Sequence, residues 1–180
     1  MLNVLLLSTL FIIVYSKDYK AVDSLDINKY IGTWYQVYQD KFDQLFQGVG
    51  TCSTAKYSLI EDNKISVFNQ QINSQNQTES IEGYAYYKDN DCCGYLTVHF
   101  SNNIPEAPYW VIELGPIESN LYDYSIVSDN KRHSLYVLTR NVERFYQKYN
   151  ETVISSLQEF GFTQIFNTPF IMEQKNCINL

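Results

Sequence analysis

The chain is poor in the residues that most often carry catalysis or bind metal. It has two histidines, His99 and His133, among 180 residues. His99 alternates with Val98 and Phe100, so strand parity turns it away from them, and His133 sits in the polar stretch DNKRH. Neither has a cysteine or carboxylate at metal-ligand spacing, so no metal site is expected. There is no Gly-x-Ser-x-Gly elbow and no glycine-rich phosphate loop. The segment DNDCCG begins with calcium-loop spacing, but Cys93 stands in place of an oxygen ligand and Phe100 in place of the closing carboxylate. These absences predict a protein that works without a cofactor and is not an enzyme.

Other scarcities narrow the class. Only 7 Gly and 4 Pro argue against a collagen-like or disordered chain. Basic residues are outnumbered, 13 Lys and Arg against 20 Asp and Glu, for a net charge of −7. That sign repels phosphate backbones and anionic lipid, so no nucleic acid partner is expected. After residue 16 no apolar run is long enough to span a bilayer, so no stable membrane span is expected once a leader is removed. The first residues, MLNVLLLSTLFIIVYS, are apolar and uncharged, with Val14 and Ser16 at the −3 and −1 positions of a cleavage site before Lys17. The expected organisation is a signal peptide over 1–16 and one domain over 17–180, secreted to the extracellular space. In that compartment cysteines pair, and Cys52, Cys92, Cys93 and Cys177 can do so in any of three ways. The tripeptides NQT at Asn76 and NET at Asn150 are glycosylation acceptors on the same route.

Aromatic residues, in contrast, are abundant: 16 Tyr and 10 Phe, with 2 Trp. They recur in short alternating runs: TWYQVYQ, CSTAKYSLI, KISVFNQQI, ESIEGYAYY, YLTVHF, APYWVIEL, LYDYSIV and HSLYVLTR. Turn-forming clusters such as EDN and SQNQ separate them. Eight strands at hairpin spacing predict an all-β, eight-stranded antiparallel up-and-down β-barrel. The period then changes. In NETVISSLQEFGF, Val153, Ile154, Leu157 and Phe160 fall at helical spacing, with Asn150 as N-cap and Gly161 as stop. One C-terminal α-helix, packed on the outside of the barrel wall, is therefore expected; NVERFYQKY can extend it upstream.

A closed barrel needs a plug at one end. Trp34 on the first strand can fill it, Gly32 lets the entering backbone pass close beneath, and Arg140 at the end of the last strand can stack on the indole. With these roles in place, the motifs GTWY, YDYSIV and LTR resemble the three conserved segments of the lipocalin family. The stretches DINKYIGTWYQV, GTCSTAKYSLIEDNKISVFNQQI, IEGYA, PEAPYWVIE and ETVISSL, and the NC at Asn176–Cys177, most resemble its apolipoprotein D-like branch, which includes bacterial members. The resemblance covers nearly all of the chain after the leader. It implies a calyx open at one end, an extracellular carrier of small lipophilic molecules, and a Cys52–Cys177 disulfide. The motif YDYSIV departs from the common Thr-Asp-Tyr, and a second family disulfide has no counterpart here. The adjacent Cys92 and Cys93 stand as a strained vicinal bond, a disulfide-linked dimer or free thiols.

Matching to that branch, together with strand parity, gives Tyr57, Asn69, Phe100 and Tyr136 as ligand-binding walls, with Val67 and Val98 on the same faces. Ala55, Gly83 and Ala85, small and inward by parity, are expected to leave volume between them. Tyr, Asn and Phe together suit a guest with a long apolar body and one polar group, such as a fatty acid or steroid. Burying about a dozen methylenes at ~0.8 kcal/mol each gives a gross gain near 10 kcal/mol. Ordering and desolvation offset part of it, leaving roughly micromolar affinity.

Overall fold

The computed structural model describes residues 17–61, 64–87, 93–100 and 104–177; the predicted leader and Cys92 lie outside them. Eight strands make the barrel: β1 (Gly32–Gln39), β2 (Gly50–Glu61), β3 (Lys64–Asn73), β4 (Thr78–Tyr86), β5 (Tyr95–Phe100), β6 (Ala107–Leu114), β9 (Tyr124–Ser128) and β10 (Leu135–Thr139). Each pairs antiparallel with its neighbour in that order, and β10 pairs back onto β1 through Tyr35–Thr139 and Gln36–Leu138, closing the ring. Closure removes the exposed edges that an open sheet of this length would carry. Between β6 and β9 a short hairpin, β7 (Ile117–Glu118) and β8 (Leu121–Tyr122), stands apart from the barrel sheet. A last short strand, β11 (Phe170–Ile171), pairs with the Tyr38–Gln39 end of β1.

Alternation along the strands produces two separate cores. Inward residues such as Trp34, Ala55, Tyr57, Val67, Val98, Val111, Val127 and Leu138 fill the barrel interior. Outward residues of β1, β6, β9 and β10, namely Val37, Ile112, Ile126, Leu135 and Val137, pack against Phe145, Val153, Leu157, Phe160 and Phe162 from the C-terminal helical region. This explains why that part of the wall is apolar on both faces, whereas β3–β5 turn polar and aromatic side chains outward. His99 is one of these, stacked on Tyr84 with ring centroids 5.0 Å apart.

The structure corrects the sequence reading at five points. The helix is in two pieces, α3 (Val142–Lys148) and α4 (Asn150–Glu159), joined at Tyr149. Asn141, not Asn150, is the cap: its side chain accepts from the Arg144 N–H at 2.8 Å, while Asn150 Oδ1 accepts from the Tyr38 hydroxyl at 2.7 Å. The seventh predicted strand is broken at Asp123, whose backbone is held by Pro116 and Arg140 rather than by the sheet. Two helices precede β2 without a sequence prediction, α1 (Ile27–Tyr30) and α2 (Lys41–Gln47). Finally, Gly83 does not leave a gap. A Cβ there would lie 2.1 Å from the His99 carbonyl oxygen and 2.9 Å from the Phe100 ring, so close strand approach and a covering aromatic account for it.

Candidate functional site: floor and mouth of the barrel

The end of the barrel where β1 enters is its floor. Trp34 is fully buried there, with its Nε1–H donated to the Tyr30 carbonyl at 2.8 Å. Gly32 has φ +101°, a conformation L-residues rarely adopt, and a Cβ on it would press to 3.2 Å from the Arg140 guanidinium. Arg140 lies flat under the indole, its Cζ 3.5 Å from the ring centroid. Its nitrogens donate to the carbonyls of Thr33 (2.7 Å), Ile31 (2.8 Å) and Tyr30 (2.9 Å), and at longer range to those of Tyr122 and Lys29. Burial lowers its pKa to about 10, well above neutrality, so it is a cation holding the carbonyls around the α1–β1 junction.

A second clamp lies beside the first. Asp123, from the second sequence motif, is buried and takes a two-pronged contact from Arg144 of α3, with Nε at 2.6 Å from Oδ2 and Nη2 on Oδ1. Burial raises this carboxyl, but the hydrogen bonds and charge of Arg144, with a Tyr149 hydrogen bond and the charge of Lys148, together outweigh it and hold the pKa below the ordinary value. The Asp123 carbonyl also accepts from the Arg140 N–H and the Thr139 hydroxyl. The motifs around Trp34, Asp123 and Arg140 thus meet at one end of the barrel.

Above the indole the floor is aromatic but polar at its tips. Tyr30 stacks on Tyr57 with centroids 5.8 Å apart and planes 7° from parallel. The Tyr109 hydroxyl sits between them, 2.8 Å from that of Tyr30 and 3.1 Å from that of Tyr57, and Tyr30 also contacts Ser125 Oγ at 3.1 Å. Burial pushes all three phenols up, Tyr30 to about 12. They are neutral hydroxyls at any physiological pH.

The opposite end is the mouth, where β1 ends at Gln39 and Gly50 pairs with Asn73. The six predicted lining residues sort into two levels. Tyr57, Val67 and Val98 are buried in the packed lower interior, as are the small residues Ala55 and Ala85. Asn69, Phe100 and Tyr136 are half-buried. Phe100 and Tyr136 pack on the rim of the interior core, and Asn69 Oδ1 is buried without a hydrogen-bond partner. The expected hollow is therefore filled at the Trp34–Tyr57 level, and only the upper residues keep an open face. Two clefts lie outside the barrel. One, of about 410 Å³, is lined by Lys41, Gln44, Ile165, Thr168, Pro169 and Phe170; the other lies among Glu61, Lys64 and Tyr84–Tyr87.

Helix α2 sits at the mouth and is seated by two carboxylates that sequence reasoning missed. Asp40 Oδ1 accepts from the Asp43 N–H at 3.0 Å in a reciprocal cap, and Asp43 Oδ2 accepts from the Leu135 N–H at 2.9 Å. The Tyr136 side chain also hydrogen-bonds Asp43. Both carboxyls are buried. Burial, with the charge of Asp129, raises Asp40 to about 6; burial and the charge of Asp40 raise Asp43 well above the carboxylate range. Their sequence signal was the D-x-x-D spacing of a helix cap in DKFD.

Cys52 and Cys177 are joined by a disulfide. The segment leading to Cys177 is further fixed by Gln174, which donates to the carbonyls of Gln36 and Ser53, both at 2.8 Å. Cys93 is half-buried with φ +94°. Asn76 is exposed in the β3–β4 turn, whereas the Asn150 side chain is engaged by Tyr38. Among the described residues no group of His, Cys, Asp and Glu could hold a metal ion, and no helix is long and apolar enough to cross a membrane.

A closed antiparallel barrel with an indole–guanidinium floor and an outer C-terminal helix defines the lipocalin class. A lipocalin-like domain profile matches residues 25–168, and the chain belongs to that family. It is similar to apolipoprotein D of Cavia porcellus, 36% identical over 90 residues, which cover 50% of this chain and 46% of the relative. The chain thus spans about half the length of the apolipoprotein D it matches. It is also similar to a putative lipocalin of Acanthamoeba polyphaga mimivirus, 36% identical over 150 residues, covering 78% of this chain and 82% of the relative. Among solved structures, Japanin from Rhipicephalus appendiculatus bound to cholesterol superposes with a TM-score of 0.54 at 14% identity, covering 82% of this chain and 95% of that one.

Proposed function

We propose that this protein is a secreted carrier that holds one small lipophilic molecule in the upper half of its barrel. The observation that carries this reading is the change of environment along the inward positions. The interior is solid from Trp34 to Tyr57, while Asn69, Phe100 and Tyr136, on the same inward parity, remain half-buried near the mouth. A wall of aromatic and apolar side chains with a few polar atoms is the usual composition of a lipid pocket. The family supports the same reading, as does the sterol held by Japanin. Secretion is supported by the Cys52–Cys177 bridge, which suits an oxidising compartment, and by the exposed acceptor Asn76.

Mass spectrometry of an organic extract of the native protein tests the proposal. A single unchanged lipid at close to one equivalent is expected. An empty extract, combined with failure of the purified protein to take up any fluorescent lipid probe, refutes it. Catalytic conversion of the lipid during incubation would replace the carrier reading with an enzymatic one.

A further inference from the structure

The hydroxyls on the floor do not satisfy one another. Tyr30, Tyr57, Tyr109 and Ser125 bring four O–H protons, and only three contacts link them. One donor is therefore left over in an apolar interior, where an unused donor is unfavourable. The three bonds form a chain, Ser125–Tyr30–Tyr109–Tyr57, in which any one hydroxyl can keep the spare proton; in one arrangement Tyr30 and Tyr57 both donate to the Tyr109 oxygen, Ser125 donates to Tyr30, and the Tyr109 proton is spare. Tyr109 is also the one phenol of the three that is only half-buried. Tyr30, Tyr57 and Ser125 are all buried, so Tyr109 is the member of the chain best placed to offer that proton to a guest.

The second observation is Asn69 Oδ1, an orphaned acceptor on the inward face of β3. Asn69 pairs with Ala55, and Val67 pairs with Tyr57, so Asn69 stands one inward step nearer the mouth than the floor cluster. The third is charge. Among the described residues, inward positions between floor and mouth carry no Lys, Arg or His. The nearest cation, Arg140, lies under Trp34 and is committed to backbone carbonyls. Glu79, directly across from the inward Gln71 near the mouth, brings a carboxyl rather than a cation. A carboxylate driven to the floor would be a buried charge with no counter-ion.

We infer that the deep end of the calyx takes an uncharged oxygen, a ketone or hydroxyl at the leading end of a lipophilic guest, and that Tyr109 is the donor that receives it. This rests on the carrier reading and deepens it: the cargo is a neutral oxygenated lipid inserted oxygen first, not a fatty acid inserted head first. Asn69 serves a guest that also carries a donor farther along its body.

A matched series tests this: tridecane, 2-tridecanone and tridecanoic acid, each competing against Nile red at pH 7.4. The ketone is expected to bind ~3–10-fold more tightly than the alkane, the range of one net neutral hydrogen bond, and more tightly than the acid. Tyr109→Phe should abolish the ketone's advantage and leave tridecane within twofold, while Tyr57→Phe should keep it. Equal affinity for ketone and alkane, or an acid that outbinds the ketone, overturns the assignment and leaves the carrier reading standing. No displacement by any of the three overturns both. If Tyr109→Phe does not fold, the infrared carbonyl band of bound ¹³C=O-labelled 2-tridecanone in the unmodified protein decides. It should be shifted to lower frequency than in hexane, and an unshifted band refutes the hydrogen bond.

Discussion

Replacing Arg140 with alanine separates the two jobs of the barrel, holding its floor and holding a guest. The guanidinium makes three short bonds to the carbonyls of Thr33, Tyr30 and Ile31 and stacks at 3.5 Å on Trp34. Hydrogen bonds to a charged donor contribute about 1.5–3 kcal/mol each when isolated, and the stacking about 0.5–2 kcal/mol. These do not add. The three carbonyls are adjacent, water can reach them once the side chain is gone, and Arg140 itself is only half-buried. A net loss of about 3–4 kcal/mol is the reasonable expectation. For a domain of this size each kcal/mol moves Tm by about 2–4 °C, so Arg140→Ala should melt about 6–15 °C lower by circular dichroism or calorimetry. Affinity for a fluorescent lipid at 20 °C, where the variant is still folded, should change less than threefold, because Trp34 separates Arg140 from the calyx. Arg140→Lys should fall between, since an ammonium cannot lie flat on the indole while addressing three carbonyls. A Tm within 2 °C of the parent, or a tenfold loss of affinity at unchanged Tm, would refute the assignment of Arg140 to the floor.

Three other perturbations probe the mouth and the C-terminal tie. The Asp40 carboxyl is raised to about 6 in the folded protein, with Asp43 raised in the same direction. The folded state therefore holds more protons than the unfolded one above about pH 4, and the seat of α2 weakens as pH rises through 6. Amide protection factors of Asp43 and Leu135, measured by hydrogen exchange, should fall between pH 4.5 and 7.5. Asp43→Asn, which keeps an acceptor for Leu135, should flatten the trend, and protection that rises with pH would count against it. Tyr136→Asp should reduce uptake of a neutral fluorescent lipid at least tenfold with Tm within a few degrees; unchanged uptake would remove Tyr136 from the lining. Cys177→Ser opens a loop of 125 residues and should cost about 2–4 kcal/mol, read as a lower urea midpoint, with the parent showing the same loss under reductant.

The barrel was legible in the sequence because its physics is local. Alternation decides which side of a strand is buried, and eight alternating runs with short breaks leave few ways to close a sheet. The floor was legible for a different reason: Gly32, Trp34 and Arg140 need each other's chemistry, and their positions at strand ends placed them together. What could not be read depends on distances across the barrel. Tyr109 was not singled out, although its alternation with Val111 is the parity signal that marks it as inward. That its hydroxyl would fall between those of Tyr30 and Tyr57 depends on the relative stagger of β2, β6 and α1, which no single stretch of sequence encodes. Gly83 was misread in the same way. Smallness on an inward face suggested empty space, but the missing Cβ is occupied by the neighbouring strand and the Phe100 ring. Asp123 was seen only as part of a motif; its partner Arg144 comes from a helix whose start periodicity did not define.

The distribution of these contacts has a functional consequence. The charge-assisted bonds of Arg140 and Arg144 and the fully buried Trp34 and Tyr30 gather at one end. The mouth is held by a short helix on two carboxyls whose burial opposes their ionisation. Cooperative stability is therefore anchored at the floor, and the end through which the proposed carrier would admit a guest is secured by two carboxyls whose burial opposes their ionisation. A lid tied by an arginine to a carboxylate would hold the mouth shut across the physiological range. On the proposed carrier function, α2, seated by Asp40 and Asp43, would open without breaking the floor contacts of Arg140 and Arg144. In such a carrier that asymmetry would let cargo exchange without unfolding, and loss of protection in α2 at neutral pH with no loss in β1 at Trp34 is the expected signature.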